Sequence, residues 1–195
     1  MVDAALAILV IDENPERAAV IEEGLRESGF GAIRVISDMR NLLRQIVNAS
    51  PDVIVIDLEN PSRDVLEQMF QVSRSVPRPV AMFVDQSDRA SIEAAIEAGV
   101  SAYVVDGLRK ERIRPVVEMA ISRHNAYRKL RDELDRTKQA LEDRKVIERA
   151  KGVLMKAKGL NEDDAHAALR AAAMRESRRL AEVAQAVVTA AKLLG

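Results

Sequence analysis

Apolar and polar positions alternate in blocks along the first half of the chain. LAILVID (6–12), DVIVID (52–57), RPVAMFVD (78–85) and SAYVVDG (101–107) are short apolar runs that carry an Asp at or near their ends. AIRVIS (32–37) is a shorter run of the same kind. Helical spacing of apolar positions lies between them, over 15–28, 39–49, 62–75, 88–98 and from near Arg109. Strands alternating with helices predict βαβ units around a five-stranded parallel sheet. Gly29 and Gly99 stand where helices would end.

After Gly107 no strand pattern returns. Lys110 to about Ala157 reads as one long helix or two joined ones, with Pro115 in the first turns, where a missing N–H matters least. Ile113, Val116, Ala120, Tyr127, Leu130, Leu134 and Leu141 follow alternating three- and four-residue steps, broken by Arg123 and Thr137. That is an imperfect coiled-coil seam and predicts a dimer; the alternative is that the stripe packs within its own chain. Gly159 suits a helix end, and Asn161 can cap a helix with acids 162–164 in its first turn, running to about Arg175. Ser177 is the expected cap of a last helix. The expected domains are an α/β domain over 1–122, a coiled-coil linker over 123–137 and an all-α three-helix bundle over 138–195.

Charge sharpens this division. Residues 1–122 hold 13 Lys+Arg against 20 Asp+Glu, a net −7, and residues 123–195 hold 17 against 11, a net +6. The basic half is a candidate for nucleic acid, or is a helical tail that uses Lys and Arg as helix formers. Cysteine is absent, which excludes disulfides and thiolate metal sites and fits a reducing cytoplasm. MVDAALAILVID lacks a basic leader segment, and no apolar stretch approaches the roughly 18 residues of a membrane span. A cytoplasmic protein without signal peptide or membrane helix is expected.

In an open parallel sheet, ligands bind at the carboxyl ends of strands. Asp12 and Glu13 end the first strand and Asp57 the third; in the order 2-1-3-4-5 these strands are neighbours, so three carboxylates converge. Such oxygen ligands suit Mg²⁺, and an Asp beside Mg²⁺ can act as a nucleophile toward phosphate. The plainer alternative is that these acids cap helices and stay solvated. Here the chain resembles a response-regulator receiver domain over about residues 5–122, through VIDEN, VIDLENPSRDVLE and AAIEAGVSAYVV. The resemblance implies Asp57 as phosphoacceptor, with Asp12, Glu13 and the carbonyl of Glu59 around the metal. Two departures stand out. Val84 replaces the usual Thr or Ser at the end of the fourth strand, and Asp106 replaces the usual Lys after the fifth. Val84 donates no hydrogen bond, and Asp106 repels phosphate. The expectation is that phosphorylation is not the physiological switch and that no cofactor is required, Mg²⁺ being a possible occupant.

VIERAKGVLMKAKGL (146–160) places Gly152 inside a helix at a cost of about 1 kcal/mol relative to Ala. At about 100° per residue, Val146, Ile147, Ala150, Val153, Leu154 and Ala157 share one arc, a core face. The complementary arc collects Arg144, Lys145, Arg149, Lys151, Lys156 and Lys158 around Gly152. A residue without a side chain among cations lets a phosphate backbone come close; the alternative is a solvated charged face with Gly152 fitting a neighbouring helix. Arg178 and Arg179 fall in the expected first turn of the last helix, where the macrodipole disfavours cations, so either a phosphate or Glu176 and Glu182 would be their partners. Arg170 and Arg175 extend the patch. Tyr127 is the one aromatic of this half, so stacking on aromatic platforms is not expected, and physics alone leaves RNA and DNA open.

ALEDRKVIERAKGVLMKAKGLNEDDAHAALRAAAMRESRRLAEVAQAVV resembles an ANTAR domain, a three-helix RNA-binding antitermination module, through AKGVLM, EDDA and RRLAEVAQ. A degenerate receiver followed by this tail resembles the AmiR/NasT family, and DLENPSRDVLE, MFVDQSD and SAYVVDGLRKER resemble its nitrate-assimilation branch. The resemblance implies binding to paired stem-loops in leader mRNA, which keeps a terminator from forming and so affects RNA polymerase only indirectly. It also implies control by a nitrate/nitrite-binding sensor protein, a homodimeric active state and no enzymatic activity. The competing expectation is a two-component regulator switched by phosphorylation of Asp57, with a scaffold as a third class.

Overall fold

The computed structural model describes residues 6–59, 61–105, 107 and 109–194. The chain forms two compact units, Met1–Arg128 and Lys129–Gly195.

In the first unit, β1 (Ala7–Ile11), α1 (Pro15–Glu27), β2 (Ala32–Ile36), α2 (Leu42–Ala49), β3 (Val53–Leu58), α3 (Arg63–Ser75), β4 (Val80–Val84), α4 (Arg89–Glu97) and β5 (Ala102–Val105) alternate as the apolar pattern requires. The sheet is parallel with order β2-β1-β3-β4-β5. Strand parity sends side chains to two cores. Leu9, Ile11, Ile54, Ile56, Met82 and Val84 meet Leu42 and Ile46 of α2, Met69 and Phe70 of α3 and Ala95 of α4. Ile8, Val10, Val53, Val55, Ala81 and Phe83 meet Ile21 and Leu25 of α1 and Ile113, Val117 and Ala120 of the next helix, α5 (Lys110–Lys158). β3 is buried along its whole length, as a central strand covered on both faces must be.

The second helix starts three residues later than the pattern suggests. The Asp38 carboxylate accepts the Arg40 N–H, and the Gln45 amide donates to the Asp38 and Arg40 carbonyls, so 38–41 is a turn that ends in Asn41 at φ 55°.

The long helical stretch is one helix, α5, of 49 residues. Its seam divides by burial. Ile113 and Ala120 are core residues and Val116 packs against them, as in the intramolecular alternative. Tyr127, Leu130, Leu134 and Leu141 remain exposed.

The second unit adds α6 (Glu162–Glu176) and α7 (Leu180–Leu194) to the C-terminal part of α5. Asn161 caps α6 by accepting the Asp164 N–H at 2.8 Å. Val146, Ile147, Ala150 and Leu154 pack against Leu169, Ala173, Val183, Ala184 and Val188. Fully buried alanines at 150, 165 and 184 fit close helix approach. Ala157, expected in this core, is exposed in the last turn of α5, one residue before the helix ends. Ser177 is also reassigned: at φ 52° it ends α6, its N–H donating to the Ala173 and Met174 carbonyls. α7 therefore begins at Leu180, and Arg178 and Arg179 precede its first turn.

Among the described residues no helix is long and apolar enough to cross a membrane.

Candidate functional site

Two charged regions carry the candidate chemistry. The first lies at the carboxyl ends of β1 and β3. Asp57 follows Val53 and Val55 in parity, so it faces the side of the sheet that α1 covers. Asp12 and Asp57 are each only 3% exposed. Asp12 Oδ1 accepts the Asn14 N–H at 2.8 Å, which turns the chain into α1. Asn14 then caps α1 by accepting the Glu16 and Arg17 N–H groups.

Arg17 is thereby fixed in the first turn of α1, with its side chain over the strand ends. Its Nη2 lies 2.6 Å and its Nε 3.2 Å from Asp57 Oδ2. Its Nη1 lies 3.1 Å from Glu59 and 3.5 Å from Asp85, and its Nε 3.9 Å from Asp12. Asp12 Oδ2 and Asp57 Oδ1 are buried without a hydrogen-bond partner among the described residues. Burial pushes the carboxyls of both residues above their ordinary range; the Asn14 N–H opposes this at Asp12 and the Arg17 guanidinium at Asp57. Burial works against the charge on Arg17, yet Asp57 and the other carboxylates hold it more firmly protonated than a free guanidinium.

Glu13 is exposed, and no three acids among the described residues form a group able to hold a metal ion. Val84 is fully buried in the apolar core and presents no donor. Asp106 lies outside the described residues.

Arg17 and Asp85 escape the sequence reading. The signal for Arg17 was present: a cation in the first turn of a helix is unfavourable unless acids receive it, the same rule applied above to Arg178 and Arg179.

The second region is the C-terminal part of α5 and the helices it packs on. Lys145, Arg149, Gly152 and Lys156 follow steps of four, three and four, which aligns them on one stripe of the helix. Arg149 and Lys156 are exposed and make no ion pair among the described residues, while Lys145 pairs with Glu142 at 2.7 Å. A Cβ on Gly152 would meet nothing within 4 Å. No neighbouring helix among the described residues therefore requires a glycine there, which speaks against the helix-packing part of the alternative and leaves a solvated charged face open. Arg144, Lys158, Arg170 and Arg175 are exposed and also free of ion pairs among the described residues.

Lys151 departs from the expected basic face. It is 8% exposed, and its Nζ bridges Glu148 at 2.8 Å and Glu162 at 2.6 Å, tying α5 to the start of α6. Those two carboxylates raise its pKa above the ordinary lysine value. On the wheel it sits beside the core arc, so its stem is covered while its ammonium reaches the α6 acids. Arg178 lies 3.3 Å from Glu176 and 3.8 Å from Glu182, and Arg179 lies 2.8 Å from Glu182. The salt-bridging alternative holds for both.

Comparison with known proteins fits this division. A family model for the response regulator receiver domain matches residues 8–118, and one for the ANTAR domain matches residues 135–188. The transcriptional regulatory protein PdtaR of Mycobacterium tuberculosis (strain ATCC 25618 / H37Rv) is 28% identical over 188 residues, 95% of this chain and 92% of that protein. The nitrate regulatory protein of Klebsiella oxytoca is 47% identical over 60 residues, 31% of this chain and 15% of that protein. In fold, the chain is similar to the signal receiver domain of a modulated diguanylate cyclase from Desulfovibrio desulfuricans G20. The TM-score is 0.53 at 16% identity, over 63% of this chain and 98% of that one.

Proposed function

The chain belongs to the response-regulator receiver family and carries an ANTAR domain behind the receiver, the AmiR/NasT combination, and we propose that it is an RNA-binding antitermination regulator. Its relative over nearly the whole length is a transcriptional regulator. The protein binds paired stem-loops in leader mRNA and keeps a terminator hairpin from forming, so RNA polymerase is affected only through the transcript. The observation that carries this reading is the α5 stripe: among the described residues Arg149 and Lys156 are exposed without ion-pair partners on either side of Gly152, which faces open space. Cations that the fold leaves unpaired are available to phosphates, and a bare backbone between them admits a close strand. Lys145 adds to the stripe, and Arg144, Lys158, Arg170 and Arg175 are further exposed cations of the same unit. Arg178 and Arg179 would have to exchange Glu176 and Glu182 for phosphate, and Lys151 holds the bundle together instead.

The active form is a homodimer. Leu130, Leu134 and Leu141 are exposed at seam spacing, with Tyr127 preceding them. Glu133 and Lys138 flank this seam at g and e positions, five residues apart, the separation that pairs them between parallel helices.

Nitrate or nitrite assimilation is the regulated process, in the cytoplasm, and a ligand-binding sensor protein gates the regulator. Supporting this is the 47% identity to the Klebsiella nitrate regulatory protein. Phosphorylation of Asp57 is not the gate: Val84 offers no hydroxyl, and Arg17 holds the carboxylate a phosphoryl group would have to reach. A receiver fold can hold Mg²⁺ at the carboxyl ends of these strands, but the residues here do not fit it while the Arg17 guanidinium lies on Asp57.

The test is transcription in vitro from a template with a two-hairpin leader ahead of a terminator. The added chain is expected to raise read-through, and its Arg149→Glu/Lys156→Glu variant is expected not to. Read-through unaffected by the native protein would overturn the reading.

A further inference from the structure

The acidic pocket is supplied with a cation by the chain itself. One guanidinium faces Asp57, Glu59, Asp85 and Asp12 at 2.6, 3.1, 3.5 and 3.9 Å. The Arg17 side chain is 24% exposed, so most of it is held inside the pocket. Its backbone cannot follow it out, because Asn14 and Pro15 fix the first turn of α1 against the strand end.

The carboxylates are used unevenly. Asp12 Oδ1 is taken by the Asn14 N–H and Asp57 Oδ2 by Arg17, leaving Asp12 Oδ2 and Asp57 Oδ1 buried and without a hydrogen-bond partner among the described residues, with Arg17 Nε 3.9 Å from Asp12 Oδ2. Those two oxygens are donors a divalent cation would seek. Mg²⁺ requires near-octahedral oxygen ligands at about 2.1 Å and gives up its waters reluctantly. Seated on Asp57, it would face a fixed positive charge already bonded to the same carboxylate. The two cations compete for one seat, and Arg17 is tethered at high effective concentration.

We propose that Arg17 is a resident counter-ion that closes this pocket to Mg²⁺, and that its removal alone opens a divalent-cation site built on Asp12 and Asp57. The inference deepens the reading of a receiver not switched by phosphate, and it stands independently of RNA binding. It places the obstacle to a metal in α1, apart from Val84 and Asp106, whose departures bear on phosphate.

The experiment uses the full chain with Mn²⁺ as a paramagnetic probe and Mg²⁺ as competitor, alongside thermal unfolding in millimolar MgCl2. The native protein is expected to show negligible binding and no shift in Tm. Arg17→Ala and Arg17→Gln are expected to bind at least about tenfold more tightly and to gain Tm with MgCl2, as a ligand of the folded state must give. Adding Asp57→Asn is expected to abolish the gain. The Gln variant retains a polar side chain over Asp57 should the Ala variant fold poorly, and circular dichroism checks both. Native protein that binds Mn²⁺ as tightly as the variants overturns the proposal, as does a folded Arg17→Gln protein that gains no binding. Leader-RNA affinity measured on the same samples is expected to be equal in native and Arg17→Gln proteins; weak RNA binding in both would count against the antitermination reading alone.

Discussion

The acidic pocket and the α5 stripe are both clusters of like charge, yet the fold treats them oppositely. In the pocket, Asp12 and Asp57 are buried and a side chain from the adjacent helix neutralises part of the charge. On the stripe, Arg149 and Lys156 stay in solvent with no acid to receive them among the described residues, and a glycine lies between them. Lys151 marks the boundary. It is two residues from Arg149, but it turns inward to Glu148 and Glu162. Local sequence charge therefore says little about availability. What counts is whether the fold brings an opposite charge within reach. By that measure the pocket is closed and the stripe is open to a polyanion.

The contrast can be broken from either side. The largest effect is expected from reversing the open charges: Arg149→Glu with Lys156→Glu should weaken leader-RNA binding on the order of a hundredfold and shift stability by no more than about 0.5 kcal/mol. Filter binding and thermal unfolding measure the two, and native-like affinity would deny the stripe its role. Lys151→Ala should show the inverse pattern, with a clear drop in Tm of the C-terminal unit and a smaller loss of RNA affinity than Arg149→Ala. A larger RNA effect at Lys151 would return it to the binding face.

Gly152→Ala separates folding from binding in one residue. Helix propensity predicts a gain of about 1 kcal/mol, since the new methyl meets nothing. Binding should weaken several-fold because the methyl stands where the RNA backbone approaches. Equal gains in stability and affinity would mean that the glycine has no ligand.

The smallest functional effect is expected in the pocket. Asp57→Asn should leave RNA binding and signalling intact, and it should stabilise the receiver at neutral pH. The sign follows from the raised carboxyl: burial outweighs Arg17, so the ionised Asp57 costs folding free energy. Below its ordinary value of 3.8 the carboxyl is protonated in both states and the substitution gains nothing. The gain should grow as pH rises through the elevated folded-state value and level off above it. Denaturant titrations of both proteins across pH test this; a gain that shrinks with rising pH would contradict it.

Much of this architecture is legible in the sequence because strands and helices bury their faces with fixed periods. Ile8, Leu9, Val10 and Ile11, fully enclosed between two layers, could only be a central strand, and Asp12 and Asp57 fall at neighbouring strand ends as the sheet order requires. The unread parts depend on distant partners. Arg17 reaches Asp57 across 40 residues of sequence, and Lys151 reaches Glu162 on the next helix. Helix angles alone cannot reveal where a long, flexible side chain finds its counter-ion. A serine suits either side of a helix break, and the φ of 52° at Ser177 assigns it to the end of α6.

The most direct test of the central claim is binding of the full chain to a two-hairpin leader RNA, with duplex DNA of the same sequence as competitor, across a salt series. The account predicts tight RNA binding that survives the DNA competitor. Equal binding to both, falling steeply and alike with salt, would reduce the α5 stripe to a nonspecific cationic surface and contradict it.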